Sequence, residues 1–320
     1  MQLHSNVVAE LGSGIRRVAI FGTGLIGTSI GLALREGGFT GSILGWDPDP
    51  AALAAARARG GVDPAVVGEP DEDPFVCALA ADLIVLAGPV FSIAEWLEQL
   101  APVLSPSQLV TDVGSVKRFL VEQVGSLYNG EAQPSWLPGH PMAGKEQGGA
   151  AHAEASLFVD STWLFTGANQ DAPETLTQHP YAAEWLALVE RFGARTVTLS
   201  PARHDLLCAS ISHLPQMVAT AFAAMLQQQF SHEFAGKDNA LMGMGGRALR
   251  EMTRLGASPY SMWRDIALAN EPAVAAAMLA LEQELIHLRE NLKTPELREM
   301  FVQANAFRVA LSEADARRHA

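Results

Sequence analysis

Basic charge is scarce in this chain: 22 Lys and Arg stand against 35 Asp and Glu, a formal net charge of −13. Phosphate neutralisation needs clustered Lys and Arg, so no nucleic-acid partner is expected, although a local basic group can still bind a small anion. Cysteine is scarcer still, with Cys77 and Cys208 alone in 320 residues. Two distant thiols make no disulfide framework and fit a reducing, cytoplasmic compartment. No stretch offers about 18 uninterrupted apolar residues, so no membrane partner is expected. The leader MQLHSNVVAELGSG has neither the basic start nor the apolar run of a signal peptide. HExxH and CxxC are missing, and His204 and His213 lie nine residues apart, so no metal site is expected.

What is present is a 48% apolar, 18% charged chain, long enough for two packed domains of about 150 residues each. After residues 1–14, RRVAIFGTGLIGTSIGLALREGG reads as strand, glycine turn and helix. SILGWD, ADLIVLAGPV and QLVTDVGSVKRFLVEQV repeat the alternation of strand and helix. That pattern predicts an α/β fold, a Rossmann-type doubly wound parallel sheet over residues 15–200. STWLFTG and ARTVTLS are expected to extend the same sheet. From about Pro201 strands give way to long helical patterns, so residues 201–320 are expected to form an all-helical second domain. Ile211, Leu214, Val218 and Phe222 put apolar groups on more than one helix face, which suggests an intertwined dimer.

GTGLIG sets Gly22, Gly24 and Gly27 in the G-x-G-x-x-G spacing, with an acid, Asp47, twenty residues beyond Gly27. The first glycine permits a tight turn, the second lets a pyrophosphate approach, and the third lets helix and strand pack. Gly22, Thr23, Gly24, Leu25, Ile26 and Gly27, with Asp47 and Pro89, are the candidate dinucleotide contacts. Asp47 can accept from both ribose hydroxyls and repels a 2′-phosphate, which favours NAD; its plainer reading is a turn former in DPDP. TDVGSVK, ending a strand, holds Ser115, either a helix N-cap or a hydrogen-bonding group, and Lys117, either a catalytic acid or a tie between loops. In GHPMAGKEQGG, Pro141 restricts His140 to extended backbone while the glycines let the chain wrap a ligand. Arg247, Arg250, Arg254 and Arg264 are candidates for gripping a carboxylate, most of them expected in surface pairs.

GTGLIGTSIGLAL, DVGSVK, GHPMAGKEQGG, HDLLCASISHLP and TRLGASPYSMWRDIALAN, in this order, resemble the prephenate/arogenate dehydrogenase family of tyrosine biosynthesis. The resemblance runs from about Arg16 to Leu292 and fits the stand-alone form. It implies a Rossmann domain, a helical dimerisation domain, and NAD-dependent oxidative decarboxylation of prephenate to 4-hydroxyphenylpyruvate by a homodimer. By the same resemblance His140 is the base and Ser115 holds the substrate hydroxyl. Arg254 grips a carboxylate, His213, Trp263, Lys145 and Glu146 complete the pocket, and His204 with Asp205 orients groups beside it. Some family members carry a second histidine where this chain has Gln216. A neutral amide offers no charge to the ammonium of arogenate, which favours prephenate, while Glu146 keeps arogenate open. A different class, a silent NAD-sensing module, would need only the glycines and Asp47.

Overall fold

A computed structural model describes residues 14–64, 73–145, 147–234 and 245–318. Five short strands form a parallel sheet: β1 (Arg17–Phe21), β2 (Ser42–Trp46), β3 (Leu83–Leu86), β4 (Leu109–Asp112) and β5 (Ser135–Leu137), in the order β2-β1-β3-β4-β5. Successive residues feed opposite faces, as the two-residue period of a strand requires. Val18, Ile20, Leu83 and Val85 enter one apolar cluster; Ala19, Phe21, Ile84 and Leu86 enter the other. With both faces covered, the strands read as continuous apolar runs.

Helices α1 (Leu25–Glu36), α2 (Pro50–Arg59), α3 (Pro74–Leu79), α4 (Val90–Leu100) and α5 (Arg118–Val124) provide the crossovers. Their ends are set locally. Asp49 caps α2 by accepting from the Ala51 N–H, Pro50 takes the first turn, and Gly60 at φ 78° closes the helix. Helix α5 starts at Arg118 with Lys117, which makes no side-chain cap, at its boundary. Ser115 therefore lies in the loop before the helix, and its reading as an N-cap is set aside.

The expectation that STWLFTG and ARTVTLS extend this sheet is corrected. β6 (Gly139–Pro141), β7 (Thr162–Phe165) and β8 (Arg195–Thr198) form a separate three-stranded sheet, β6-β7 antiparallel and β7-β8 parallel. The chain leaves the first sheet at Pro138, which has no N–H for a ladder. The Pro138 carbonyl instead accepts from the Thr166 N–H. A Cβ on Gly139 would lie 2.8 Å from the Asp112 carbonyl oxygen, so only glycine allows this close crossing. Trp163 and Phe165 of β7 and Trp185 of α6 (Pro180–Arg191) join the first of the two apolar clusters.

The later chain is helical throughout its described residues: α7 (Pro201–Cys208), α8 (Leu214–Phe234), α9 (Gly246–Thr253), α10 (Tyr260–Ala269), α11 (Glu271–Glu290) and α12 (Glu296–Arg318). Packing divides the chain into two compact units, one ending at His204 and taking in Ser258–Ala269, the other made of Asp205–Ala257 and Asn270–Ala320. Helix α10 thus belongs with the first unit although it lies well past the boundary expected near Ser200. Its Ile266 is buried in the sheet's second cluster and Trp263 packs against that cluster.

Between α7 and α8 the helix widens into one π turn, Ala209–His213, with the Leu214 N–H reaching back to the Ala209 carbonyl. Pro215 explains the position: it has no N–H and its ring clashes with the carbonyl four residues back, a conflict the wider turn relieves. The stretch Pro201–Ser231 is long and apolar enough to cross a membrane by length and composition alone. It also carries buried His204, Asp205, His213 and Gln216, groups that hydrocarbon would penalise.

Candidate functional site

The glycine-rich loop joins β1 to α1. Gly22 sits at φ 94°, and a Cβ there would lie 2.7 Å from the Ala87 carbonyl oxygen, so the turn demands glycine. A Cβ on Gly27 would lie 2.0 Å from the Gly22 carbonyl oxygen, so the helix can seat on the loop only without one. Gly24 is different: a Cβ there would meet nothing within 4 Å. The protein's own packing does not require that glycine, and the open space in front of it fits an approaching pyrophosphate. Behind it α1 begins at Leu25 with no acidic residue in its first turn, so its N–H groups and partial positive charge are not neutralised by side chains there.

Asp47 follows β2 and ties the two βα connections together. One carboxylate oxygen accepts from the Thr23 N–H at 2.6 Å and from its hydroxyl at 3.1 Å. The other accepts from the Asp49 N–H at 2.9 Å, so the turn-forming reading of Asp47 is present too. The oxygen that accepts from Asp49 has a second acceptor direction, which leaves capacity for a ribose hydroxyl. Pro89 is exposed at the start of α4, on the loop after β3, and Thr23 is fully buried beneath the glycine turn.

Asp112, which ends β4, is the hub of the next two loops. Its side chain is fully buried in an ion pair with Lys117 and accepts from the Gly114 N–H at 2.8 Å. Its other oxygen accepts from the Trp136 indole N–H at 3.1 Å and from the Gly139 N–H at 3.4 Å. Lys117 is therefore a tie between loops. One carboxylate fixes the loop carrying Ser115, which is half-buried, against the strand carrying His140. Neither Asp112 nor its role was singled out from the sequence. The available signal was an acid ending an otherwise apolar strand, five residues before the only nearby lysine.

His140 is 8% exposed in the middle of β6, paired with Leu164. Its Nδ1 lies 2.9 Å from Nε2 of His204, which is fully buried at the last residue of the first unit. His204, expected beside the substrate, is thus a direct partner of His140. Beyond Pro141 the glycine-rich segment is tied down. Lys145 Nζ pairs with Glu154 at 2.9 Å and donates to the His152 carbonyl at 3.0 Å. The Glu154 N–H donates to the Ser29 hydroxyl of α1 at 3.1 Å. Glu146, expected to complete the pocket with Lys145, lies outside the described residues. Gly149 at φ 89° is the glycine here that the backbone requires.

In the second unit His213 is buried in the π turn. The Asn270 side-chain amide nitrogen lies 3.0 Å from the Asp205 carbonyl and 3.4 Å from His213 Nδ1. An amide nitrogen only donates, so His213 Nδ1 accepts and its proton sits on Nε2. Asn270, a further residue the sequence did not single out, thereby sets the tautomer of His213. Gln216, 3% exposed, donates from Nε2 to the Leu255 carbonyl at 2.7 Å and the Thr220 hydroxyl at 3.2 Å. Leu255 follows Arg254, which is exposed on the short 3-10 turn Arg254–Ala257. Two of the four candidate arginines are in ion pairs, both at 2.6 Å: Arg247 with Glu251 on the surface and, in the first unit, Arg264 with the buried Asp265.

Comparison with known proteins bears on these geometries. Residues 30–197 match the nucleotide-binding domain of prephenate dehydrogenase, and residues 200–304 match its dimerization domain. The first match begins just after the glycine loop, whose assignment thus stands on its own geometry. A prephenate dehydrogenase of Lactococcus lactis subsp. cremoris is 28% identical over 257 residues, covering 80% of this chain and 65% of that protein, just under two thirds of its length. A cyclohexadienyl dehydrogenase of Zymomonas mobilis is 28% identical over 300 residues, 92% of this chain and 96% of that one. The crystal structure of prephenate dehydrogenase from A. aeolicus, in complex with hydroxyphenyl propionate and NAD+, superposes with a TM-score of 0.78 at 27% identity, over 94% of this chain and 99% of that one. With both domains matched in order over most of its length, the chain belongs to the prephenate dehydrogenase family.

Proposed function

We propose that this chain is an NAD-dependent prephenate dehydrogenase of tyrosine biosynthesis, acting in the cytoplasm as a homodimer. NAD, when bound, accepts a hydride from ring C4 of the substrate. Gly22, Thr23, Gly24, Leu25, Ile26 and Gly27 would hold its pyrophosphate, Asp47 its ribose hydroxyls, and Pro89 would border it. The carboxylate of Asp47 disfavours the 2′-phosphate of NADP.

The observation that carries the reading is the buried contact of His140 with His204. A proton on His140 Nδ1, donated to His204 Nε2, puts the lone pair of His140 on Nε2, the tautomer a base requires. His140 then takes the proton of the C4 hydroxyl as the hydride leaves, and Ser115 orients that hydroxyl. The ring carboxylate departs as carbon dioxide, its bonding electrons make the ring aromatic, and the proton returns to the phenolate oxygen. The reaction needs position, a base, and grips for two carboxylates. Arg254 is the proposed grip, with His213, Trp263 and Lys145 contributing to the pocket. His204 and Asn270 act by fixing imidazole orientation.

The homodimer is supported by the match to a dimerization domain and by the second unit's exposed Leu279, Leu285, Phe301, Val302 and Phe307. Neither Cys77 nor Cys208 is in a disulfide, in keeping with a reducing compartment.

Replacing His140 tests the assignment. His140→Asn is expected to lower kcat by about 10²–10⁴, the usual range for losing a general base. The NAD dissociation constant, measured by fluorescence titration, is expected to stay within twofold or so of wild type, because His140 is not among the proposed dinucleotide contacts. Near-wild-type turnover would remove His140 from the base role.

A further inference from the structure

Directly after Asp47 the chain reads Pro48, Asp49, Pro50, a stretch with no part so far in the dinucleotide site. Proline has no N–H, so Pro48 and Pro50 offer no backbone donor. The two N–H groups beside them are already committed. Asp49 donates to Oδ1 of Asp47 and Ala51 to Oδ1 of Asp49, each at 2.9 Å. Asp49 is exposed and caps α2, so its carboxylate occupies the positive end of that helix. From Pro48 to Ala51 the turn thus presents a negative charge and no uncommitted backbone donor.

Those properties matter for what can lie in front of the turn. Oδ1, the Asp47 oxygen with capacity for a ribose hydroxyl, is also the one that the Asp49 N–H meets. A phosphate on that hydroxyl would therefore come to lie beside Asp49. Such a group carries nearly two negative charges and needs cations or N–H groups around it. Neither is supplied. No Lys or Arg occurs between Arg35 and Arg57. Arg35 is committed to Asp63 and to the carbonyls of Phe39 and Gly41. Arg57 and Arg59 sit in the last turn of α2, at the end away from Asp49.

We propose that Asp49 is a second specificity-determining residue for the dinucleotide, rejecting the 2′-phosphate of NADP separately from Asp47. The inference rests on the reading of the glycine loop and Asp47 as an NAD site. The two acids divide the task unequally. Asp47 both holds the ribose and repels a phosphate on it, so its loss weakens NAD as well. Asp49 has its carboxylate turned to the Ala51 N–H and takes no part in holding NAD. It acts on the phosphate alone, by charge and by filling the helix end that a phosphate would use. Removing Asp47 by itself therefore does not admit NADP, because it uncovers no cation and leaves the end of α2 capped.

The test measures dissociation constants of NAD and NADP by quenching of tryptophan fluorescence, in wild type, Asp49→Asn, Asp47→Ser and the double variant. Asparagine caps a helix as well as aspartate does, so Asp49→Asn removes the charge and should melt with wild type. That variant is expected to bind NADP about fivefold tighter or more, with NAD unchanged to within about twofold. Asp47→Ser should weaken NAD and still bind NADP about fivefold less tightly than the double variant. The ratio of the two constants is read within one preparation, so a loss of folded protein does not mimic it. A ratio unmoved by Asp49→Asn in either background overturns the inference, while binding of NAD by wild type leaves the dinucleotide reading standing. No binding of NAD by wild type overturns that reading, and the inference with it.

Discussion

The two units hold their candidate groups by different means. In the first, loops at strand ends are tied by single carboxylates. Asp47 binds the glycine turn through Thr23, and Asp112 joins the Ser115 loop to the strand of His140. In the second, the groups sit on helices and are oriented by side-chain amides: Asn270 sets His213, and Gln216 anchors to the turn after Arg254. Carboxylates, one of them fully buried, hold the groups in one unit and neutral donors in the other. The difference is one of magnitude, because a buried carboxylate stripped of its partner loses far more than an amide does.

The largest effect is expected at Asp112. Lys117→Met would leave that carboxylate fully buried without its cation, and is expected to cost ~3–5 kcal/mol of stability by denaturant unfolding. A loss below about 1 kcal/mol would place the Asp112 hub with the neutral ties of the second unit.

A smaller effect sharpens the reading of the dinucleotide loop. Gly27→Val drives a side chain into the Gly22 carbonyl and is expected to lower stability by about 1–3 kcal/mol. Gly24→Val meets no protein atom near its Cβ, so its melting temperature should match wild type while NAD binding weakens about tenfold or more, ~1.4 kcal/mol. Equal effects of the two substitutions on stability would mean that Gly24 too is demanded by packing.

The sequence disclosed the parallel sheet because each strand is a buried run followed by a turn and an amphipathic helix, all of it local information. It did not disclose the second sheet. β6 is three residues long and its partner β7 lies some twenty residues later, so pairing depends on where Pro138 turns the chain. The glycine loop, Asp47, Ser115 and His140 were legible as motifs, as was the plainer reading of Lys117. What makes those groups specific was not: His204 reaches His140 across 64 residues and Asn270 reaches His213 across 57. The Lys145–Glu154 ion pair, closed by the short 3-10 turn Ala150–His152 between them, was not legible either. The direction of the Gln216 amide is set by a carbonyl 39 residues away, and no local pattern encodes it.

These loops are proposed to assemble a hydride-transfer site for a cyclohexadienol. The most direct measurement is NADH formation on mixing the purified full chain with prephenate and NAD, repeated with NADP, with carbon dioxide release followed alongside. The account predicts NADH and carbon dioxide in equal amounts with NAD, and much slower reduction of NADP because the Asp47 carboxylate would repel a 2′-phosphate. Tight binding of NAD with no reduction in the presence of prephenate or arogenate would contradict it and make the chain a dinucleotide sensor.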